Sequence, residues 1–149
     1  MASKAWALGI CTATNVYLLG AMVLFATVTY PSFASVDRAA FAALYQSFNA
    51  RIGLPVVSME FVAALTTVPL YFWRLESTPL WAVHALVALA LGYFAITFAW
   101  HLPAHRPLAA GDNAGSALGP LMASQWARTA LQALRAGLLI WLGVRAVNT

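Results

Sequence analysis

The chain has 149 residues, of which 62% are hydrophobic and only 8% charged, and its formal net charge is +4. A soluble domain has about 25% charged residues, so this composition excludes a soluble globular protein and predicts an integral membrane protein in contact with the lipid bilayer. Because Arg128 and Arg135 lie inside an apolar segment, the positive charge does not indicate nucleic-acid binding.

Four apolar segments in chain order are each about 20 residues or longer, which is enough to cross the hydrocarbon core of a bilayer. They span about residues 6–30, 54–73, 80–100 and 121–147. The first is too long for the apolar region of a signal peptide. The sequence therefore predicts an all-α fold: a four-transmembrane-helix bundle in which residues 1–149 form a single membrane domain.

Two connections differ from plain turns. In residues 31–53, Phe33, Phe41, Tyr45 and Phe48 recur at helical spacing, which predicts an amphipathic interfacial helix between the first and second spans. Residues 101–120 contain three prolines, three glycines and no sustained period, which predicts a long loop. Both connections lie on one side of the bundle, the loop side, and the chain termini lie on the other, the terminus side.

The orientation of the bundle should follow its Lys and Arg residues. Each side carries three: Lys4, Arg74 and Arg145 on the terminus side, and Arg38, Arg51 and Arg106 on the loop side. The N-terminal amine breaks this tie, so we expect cytoplasmic termini in a bacterial inner (plasma) membrane. The charges at the span ends suit anionic lipid headgroups.

The fourth predicted span carries a polar stripe. Gln125, Arg128, Gln132 and Arg135 are separated by three, four and three residues, so they share one helix face. Charged groups in a span face the bundle interior or a cavity. By helical rise, Arg128 and Glu60 both lie about 10 Å from the loop side. We therefore predict that Glu60 pairs with Arg128, with Arg135 as the alternative partner.

Two interpretations of this stripe compete. Buried polar groups can fix the register of packed helices, as in a non-enzymatic membrane subunit or binder. Alternatively, they line a polar pocket that opens to the loop side. A stripe of four polar residues beside an extended loop favours the pocket.

His101 and His105 lie at the same end of the bundle and are four residues apart. On a helix they could share a transition metal with Glu60 or Asp112, but Pro103 between them argues against a regular helix. We expect hydrogen-bonded histidines close to the mouth of the pocket and no metal or other cofactor. A metal-dependent enzyme that uses His101 and His105 is the alternative.

Two short motifs resemble those of the anthrone oxygenase-like family of small four-helix membrane proteins. LPAHRPL after the third span matches the family's Asn-Pro-Leu-Asn/His-x-x-Leu motif at Pro103, His105 and Leu108, without the leading Asn. QWARTALQALR in the last span offers Trp126, Thr129 and Arg135 for a second motif, with Arg128 in addition. The order of spans and connections is also similar over most of the chain.

The resemblance implies oxidation of a fused phenolic compound by O₂ without a metal or flavin. His105 or His101 would be the base, and Arg128 and Gln125 would bind the oxyanion. Glu60 would hold the arginine in place. Tyr45, Trp100 and Trp126 would sandwich a planar substrate.

Together these observations predict a membrane-embedded site that binds or oxidises a lipophilic aromatic or quinone-like small molecule. Gln132 and Arg135 would extend the polar lining of that site. Whether the protein is an enzyme stays open at this point, and a homo-oligomer is compatible with the composition.

Overall fold

The computed structural model describes residues 2–148, which form helices and turns without a strand. Four helical segments are long and apolar enough to cross a membrane, as an integral membrane protein requires. They are span 1 (Ser3–Ser35), span 2 (Arg38–Phe72), span 3 (Leu80–Ala109) and span 4 (Gly115–Val147). The predicted all-α architecture with four such helices is confirmed.

Three of the four spans are interrupted by other helix types or turns. Span 1 contains the α-helix Ala2–Leu24, the π-helical turn Phe25–Thr29, the short helix Tyr30–Ser32 and the 3₁₀ turn Phe33–Ser35. Span 2 contains the α-helices Arg38–Leu65 and Pro69–Phe72. Span 3 contains the α-helix Leu80–Ile96, the π-helical turn Thr97–His101 and the α-helix Leu102–Ala109, and span 4 is one helix, Gly115–Val147.

The two π-helical turns each precede a proline. Pro31 and Pro103 follow one residue after Tyr30 and Leu102, whose N–H groups donate to carbonyls five residues back. A proline lacks the N–H and its ring clashes with the carbonyl four residues back. The wider π-helical turn accommodates the missing hydrogen bond and the proline ring within a continuous helix. Spans 1 and 3 therefore continue through prolines at which regular helix was expected to stop.

The prediction of a long loop over residues 101–120 is wrong, because span 3 continues as a helix past Pro103. Span 3 runs on to Ala109, and residues 110–114 alone connect it to span 4. Gly111 makes the turn with a φ of +90°, a backbone conformation that favours glycine. Asn113 then donates to the carbonyls of Phe33 (3.1 Å) and Val36 (2.7 Å), which ties the two loop-side connections together.

The predicted interfacial helix is not a separate element. Arg38–Leu65 is one helix that starts at the N-cap Asp37, whose carboxylate accepts from the Ala39 N–H at 2.8 Å, and it includes Pro55. Residues 38–53 therefore form the first half of span 2. Phe41 and Tyr45 on this half are fully buried, so its apolar face packs on the bundle.

Neighbouring spans run in opposite directions. Residues 15 and 22 of span 1 contact residues 132 and 125 of span 4, and residue 93 of span 3 contacts residue 128. Span 4 packs against both span 1 and span 3, and its polar stripe faces these spans and span 2. This position explains why the polar stripe of span 4 is buried.

The core consists of two apolar clusters with polar side chains between them. The loop-side cluster includes Leu18, Met22, Phe33, Phe41 and Leu121, and the terminus-side cluster includes Leu8, Leu70, Leu86, Leu139 and Leu142. Asn15, Gln132 and Arg135 are buried between these clusters. The glutamines and arginines of span 4 thus lie at two depths of one bundle.

Candidate functional site

Arg128 is the centre of a buried polar cluster. Its guanidinium forms a direct ion pair with Glu60 and also donates to the Tyr93 hydroxyl and, at 3.3 Å, to the Gln125 side-chain oxygen. Arg128 and Glu60 are both buried. The predicted pair of Glu60 and Arg128 is confirmed. Because the carboxylate balances the guanidinium, the cluster holds a charged donor in the bundle interior at a reduced desolvation cost.

Tyr93 belongs to the Arg128 cluster, and the sequence analysis missed it. Its ring lies under the guanidinium of Arg128, with 4.7 Å between the arginine Cζ and the ring centroid, so it adds a cation–π contact to the hydrogen bond. The signal that could have found it is a tyrosine in the middle of an apolar span, at the depth of Arg128.

Arg135 does not contact Glu60. Its guanidinium donates to the Gln132 side-chain oxygen (3.2 Å), the Ala63 carbonyl (3.1 Å) and the Thr67 hydroxyl (3.1 Å). Gln132 in turn donates to the backbone and side-chain oxygens of Asn15 at 2.8 and 3.0 Å. The alternative pairing of Arg135 with Glu60 is therefore wrong.

A cavity of about 270 Å³ lies beside the Arg128 cluster. Its polar lining includes Glu60, His101, His105, Gln125 and Arg128. The apolar lining includes Met22, Phe25 and Tyr30 of span 1 and Ile52 and Val56 of span 2. The predicted pocket thus has a physical counterpart, and the two histidines lie in its wall.

Gln132 and Arg135 are not among the residues that line this cavity. Both are almost fully buried, with exposed fractions of 0% and 1%, and they bond to spans 1 and 2 below it. The expectation that they contribute to the ligand-binding surface is wrong for this cavity. The stripe lies on one helix face, but only its loop-side half reaches the cavity.

The two histidines belong to a chain of hydrogen bonds. Tyr45 Oη contacts His105 Nδ1, the two Nε2 atoms of His105 and His101 are 3.1 Å apart, and His101 Nδ1 is 2.9 Å from Ser124 Oγ. The Ser124 hydroxyl donates to the Leu121 carbonyl at 2.8 Å. The π-helical turn and the helix after it place both rings on the same side of span 3, which the expected loop would not have done.

The Leu121 carbonyl at the end of this hydrogen-bond chain determines which atom of each pair is the donor. A carbonyl accepts only, so Ser124 is the donor to Leu121 and must accept from His101 Nδ1–H. For neutral histidines, His101 Nε2 is then an acceptor and His105 Nε2–H is its donor. His105 Nδ1 accepts from the Tyr45 hydroxyl.

Three aromatic residues were expected to sandwich a planar ligand. Tyr45 is fully buried and bonds to His105, so it supports the wall of the cavity. Trp100 and Trp126 are 43% and 48% exposed and do not line the cavity. Neither tryptophan can therefore sandwich a ligand within this cavity, and their role in ligand binding stays a prediction. The aromatic lining comes from Phe25, Tyr30 and Phe48, which the sequence analysis did not assign to the site.

Asn15 and Ser124 are buried polar residues in supporting positions. Asn15 donates to the Ala63 carbonyl at 3.2 Å and so joins spans 1 and 2. Ser124 was missed because a single serine in an apolar span usually bonds only to its own helix. Its second contact, with His101, depends on how spans 3 and 4 pack.

Among residues 2–148, no group of three or more His, Cys, Asp and Glu side chains is arranged to hold a metal ion. His101 and His105 are the two histidines that the metal alternative requires. Their Nε2 atoms face each other at hydrogen-bond distance.

The fold and the site define a class: a helical bundle of membrane-spanning length with a buried, charge-paired arginine beside an internal cavity. A scan against protein-family models matches none, and searches of curated proteins and of solved structures find no match.

Proposed function

We propose that the protein is inserted in a membrane and binds a lipophilic phenol, hydroquinone or quinone in the cavity beside Arg128. The observation that carries the proposal is the coincidence of a cavity with a buried guanidinium and a histidine pair in its wall. A ligand oxygen can accept from Arg128, while the apolar wall surrounds a ring. We keep the expected bacterial inner membrane and cytoplasmic termini as part of this proposal.

The Nε–H groups of Arg128 and Arg135 are both buried without a hydrogen-bond partner among the described residues. Because Arg135 does not line the cavity, this property does not distinguish the two arginines. The proposal therefore rests on the position of Arg128 in the cavity wall.

The same arrangement suits deprotonation of a phenolic hydroxyl. The histidine pair can take up one proton at His105 Nδ1 when Tyr45 turns its hydroxyl to accept from that nitrogen. The phenolate that remains would accept from Arg128, and Glu60 would hold the guanidinium in position. A phenolate is richer in electrons than the phenol and is oxidised more readily.

The resemblance to anthrone oxygenases adds the oxidation itself. A hydroquinone would pass two electrons and two protons to O₂, which gives the quinone and hydrogen peroxide. In this proposal the chain contributes the base and the anion site, and O₂ is the oxidant. No cofactor is part of the proposal, and metal analysis of the purified protein tests the alternative that His101 and His105 bind a transition metal.

A second candidate function is a non-enzymatic membrane subunit in which the polar stripe is structural. The Arg135 cluster favours it, because that cluster joins spans 1, 2 and 4 through hydrogen bonds away from the cavity. In the first candidate function the Arg128 charge binds the ligand, whereas in the second it only joins helices.

The double variant Glu60→Gln/Arg128→Gln tests this difference, because it removes both charges together. We expect it to fold and to lose the thermal stabilisation that hydroquinones, quinones and anthrones give to the wild-type protein in detergent. Arg135→Gln is the matched control, with the same chemical change outside the cavity. If no such ligand stabilises the wild-type protein more than the double variant, the binding proposal fails and the structural-subunit function replaces it.

A further inference from the structure

The mouth of the cavity lies on one side of the bundle. Its lining residues from span 1 and span 4, such as Met22 and Gln125, are all buried. The lining residues with exposed surface all belong to spans 2 and 3, and among them Val57 is 45% and Leu102 48% exposed. The cavity therefore opens sideways, through a gap between spans 2 and 3 that we call the lateral window, and not towards the loop side as the sequence predicted.

Two contacts between spans 2 and 3 frame the lateral window. On the loop side, Tyr45 bonds to His105. Towards the middle of the bundle, the rings of Phe61 and Phe94 pack with centroids 5.1 Å apart. At the rise of an α-helix, the distance between these contacts is about 24 Å along span 2 and about 16 Å along span 3. This height accommodates an extended alkyl chain.

The cavity and its window differ in polarity. The inner wall carries Arg128, Glu60 and His101, whereas most exposed lining residues at the window are apolar: Ile52, Gly53, Val56, Val57 and Leu102. Asn49 and His105 lie at the loop-side end of the window. A cavity of roughly 150 Å³ holds one benzene ring, and sites for drug-sized ligands begin near 300 Å³. The observed 270 Å³ therefore suits one substituted ring, and the rest of a larger ligand must lie in the window.

We propose that the ligand is a single-ring phenol or quinone with an apolar tail, and that the tail leaves the cavity through the lateral window into the lipid. This inference rests on the proposed function, because it assumes that the ring oxygen binds at Arg128 and that the bundle lies in a bilayer. It narrows the ligand from lipophilic aromatics in general to amphiphiles whose polar group is at one end.

Photolabelling locates the tail. The probe is a benzoquinol whose alkyl tail carries a diazirine close to the ring, added to the protein in phosphatidylcholine nanodiscs. We expect label on the peptides that contain Val57 and Leu102, displaced by an excess of the same ring without a tail. The peptides with Val16 of span 1 and Leu134 of span 4 are controls, because both residues are exposed and lie on the spans that do not form the window.

Gly53→Leu places a branched apolar side chain at the window, and its Cβ would meet no atom within 4 Å. We expect this variant to lose the label at Val57 and Leu102. Gly20→Leu is the matched control: its Cβ also meets nothing within 4 Å, and Gly20 is exposed on span 1. Thermal unfolding of both variants checks that they stay folded.

The outcomes separate this inference from the proposed function. Label that the untailed ring displaces, and that Gly53→Leu abolishes, supports the tailed ligand. If the label instead spreads evenly over exposed residues of all spans while the untailed ring still stabilises the protein through Arg128, the proposed path of the tail is overturned. The proposed function is left standing by that result. Both proposals are overturned if the untailed ring fails to displace the label and the Arg128→Gln variant is labelled in the same way as the wild-type protein.

Discussion

Two clusters of the bundle are built on the same hydrogen-bond pattern, seven residues apart. In each, an arginine of span 4 donates to the glutamine three residues before it: Arg128 to Gln125 and Arg135 to Gln132. Each glutamine donates to a backbone carbonyl of span 1: Gln125 to Met22 and Gln132 to Asn15. Each arginine also donates to span 2, at Glu60 or at Thr67, and these two residues are again seven apart.

The two clusters differ in charge and in space. Arg128 has a carboxylate partner, a tyrosine ring beneath it and a cavity beside it. Arg135 donates to a hydroxyl and a carbonyl of span 2 and does not line the cavity. One pattern thus joins helices at both depths, and at one of them it also borders a cavity. The comparison teaches that the cavity, and not the buried arginine by itself, distinguishes Arg128 as the proposed ligand site.

Arg128→Gln should have the largest effect on stability. It leaves Glu60 as a buried carboxylate without its cation, which costs about 3–5 kcal/mol while Glu60 stays ionised. Chemical or thermal unfolding in detergent measures the loss. Glu60→Gln/Arg128→Gln should recover much of it, and a double variant as unstable as the single one would contradict the ion-pair explanation.

Arg135→Gln should cost less, about 1–3 kcal/mol, because the acceptors that lose a donor are all neutral: the Thr67 hydroxyl, the Ala63 carbonyl and the Gln132 side-chain oxygen. Unfolding measured beside Arg128→Gln tests the ranking. Ligand stabilisation should match the wild-type protein, since Arg135 does not line the cavity. A loss of ligand binding equal to that of Arg128→Gln would show that the two clusters act as one site.

Ser124→Ala should cost about 0.5–1.5 kcal/mol through one lost hydrogen bond, and it should change the histidines specifically. In the wild-type protein, ¹⁵N NMR should show His101 protonated at Nδ1 and His105 at Nε2. Without Ser124, His101 loses the acceptor that determines its tautomer, so the two tautomers should mix. The opposite assignment in the wild-type protein would contradict the hydrogen-bond chain.

Trp126→Phe should have the smallest effect, within about 0.5 kcal/mol, because the side chain lies half exposed outside the cavity. It should leave both stability and ligand-induced thermal shifts unchanged. Phe48→Leu, inside the cavity, is the comparison that should weaken binding of an aromatic ring. A larger binding loss in Trp126→Phe would place the ligand on the outer face of span 4.

Local patterns of the sequence predicted more of the site than of its surroundings. The stripe and the depth of Glu60 followed from helical spacing and rise, and both are seen in the structure. The predicted loop over residues 101–120 failed because proline was taken to end a helix, whereas a π-helical turn carries the helix past Pro103. That one difference places His101 and His105 on one continuous helix.

The sequence by itself determined the number of spans, the shared face of Gln125, Arg128, Gln132 and Arg135, and the equal depth of Glu60 and Arg128. Those properties depend on length, periodicity and depth, which are set along each helix separately. Only the tertiary structure decided which arginine borders open space and which side of the bundle that space opens to. These depend on the distances and rotations between helices, because a side chain lines a cavity only where its neighbours fail to fill the gap.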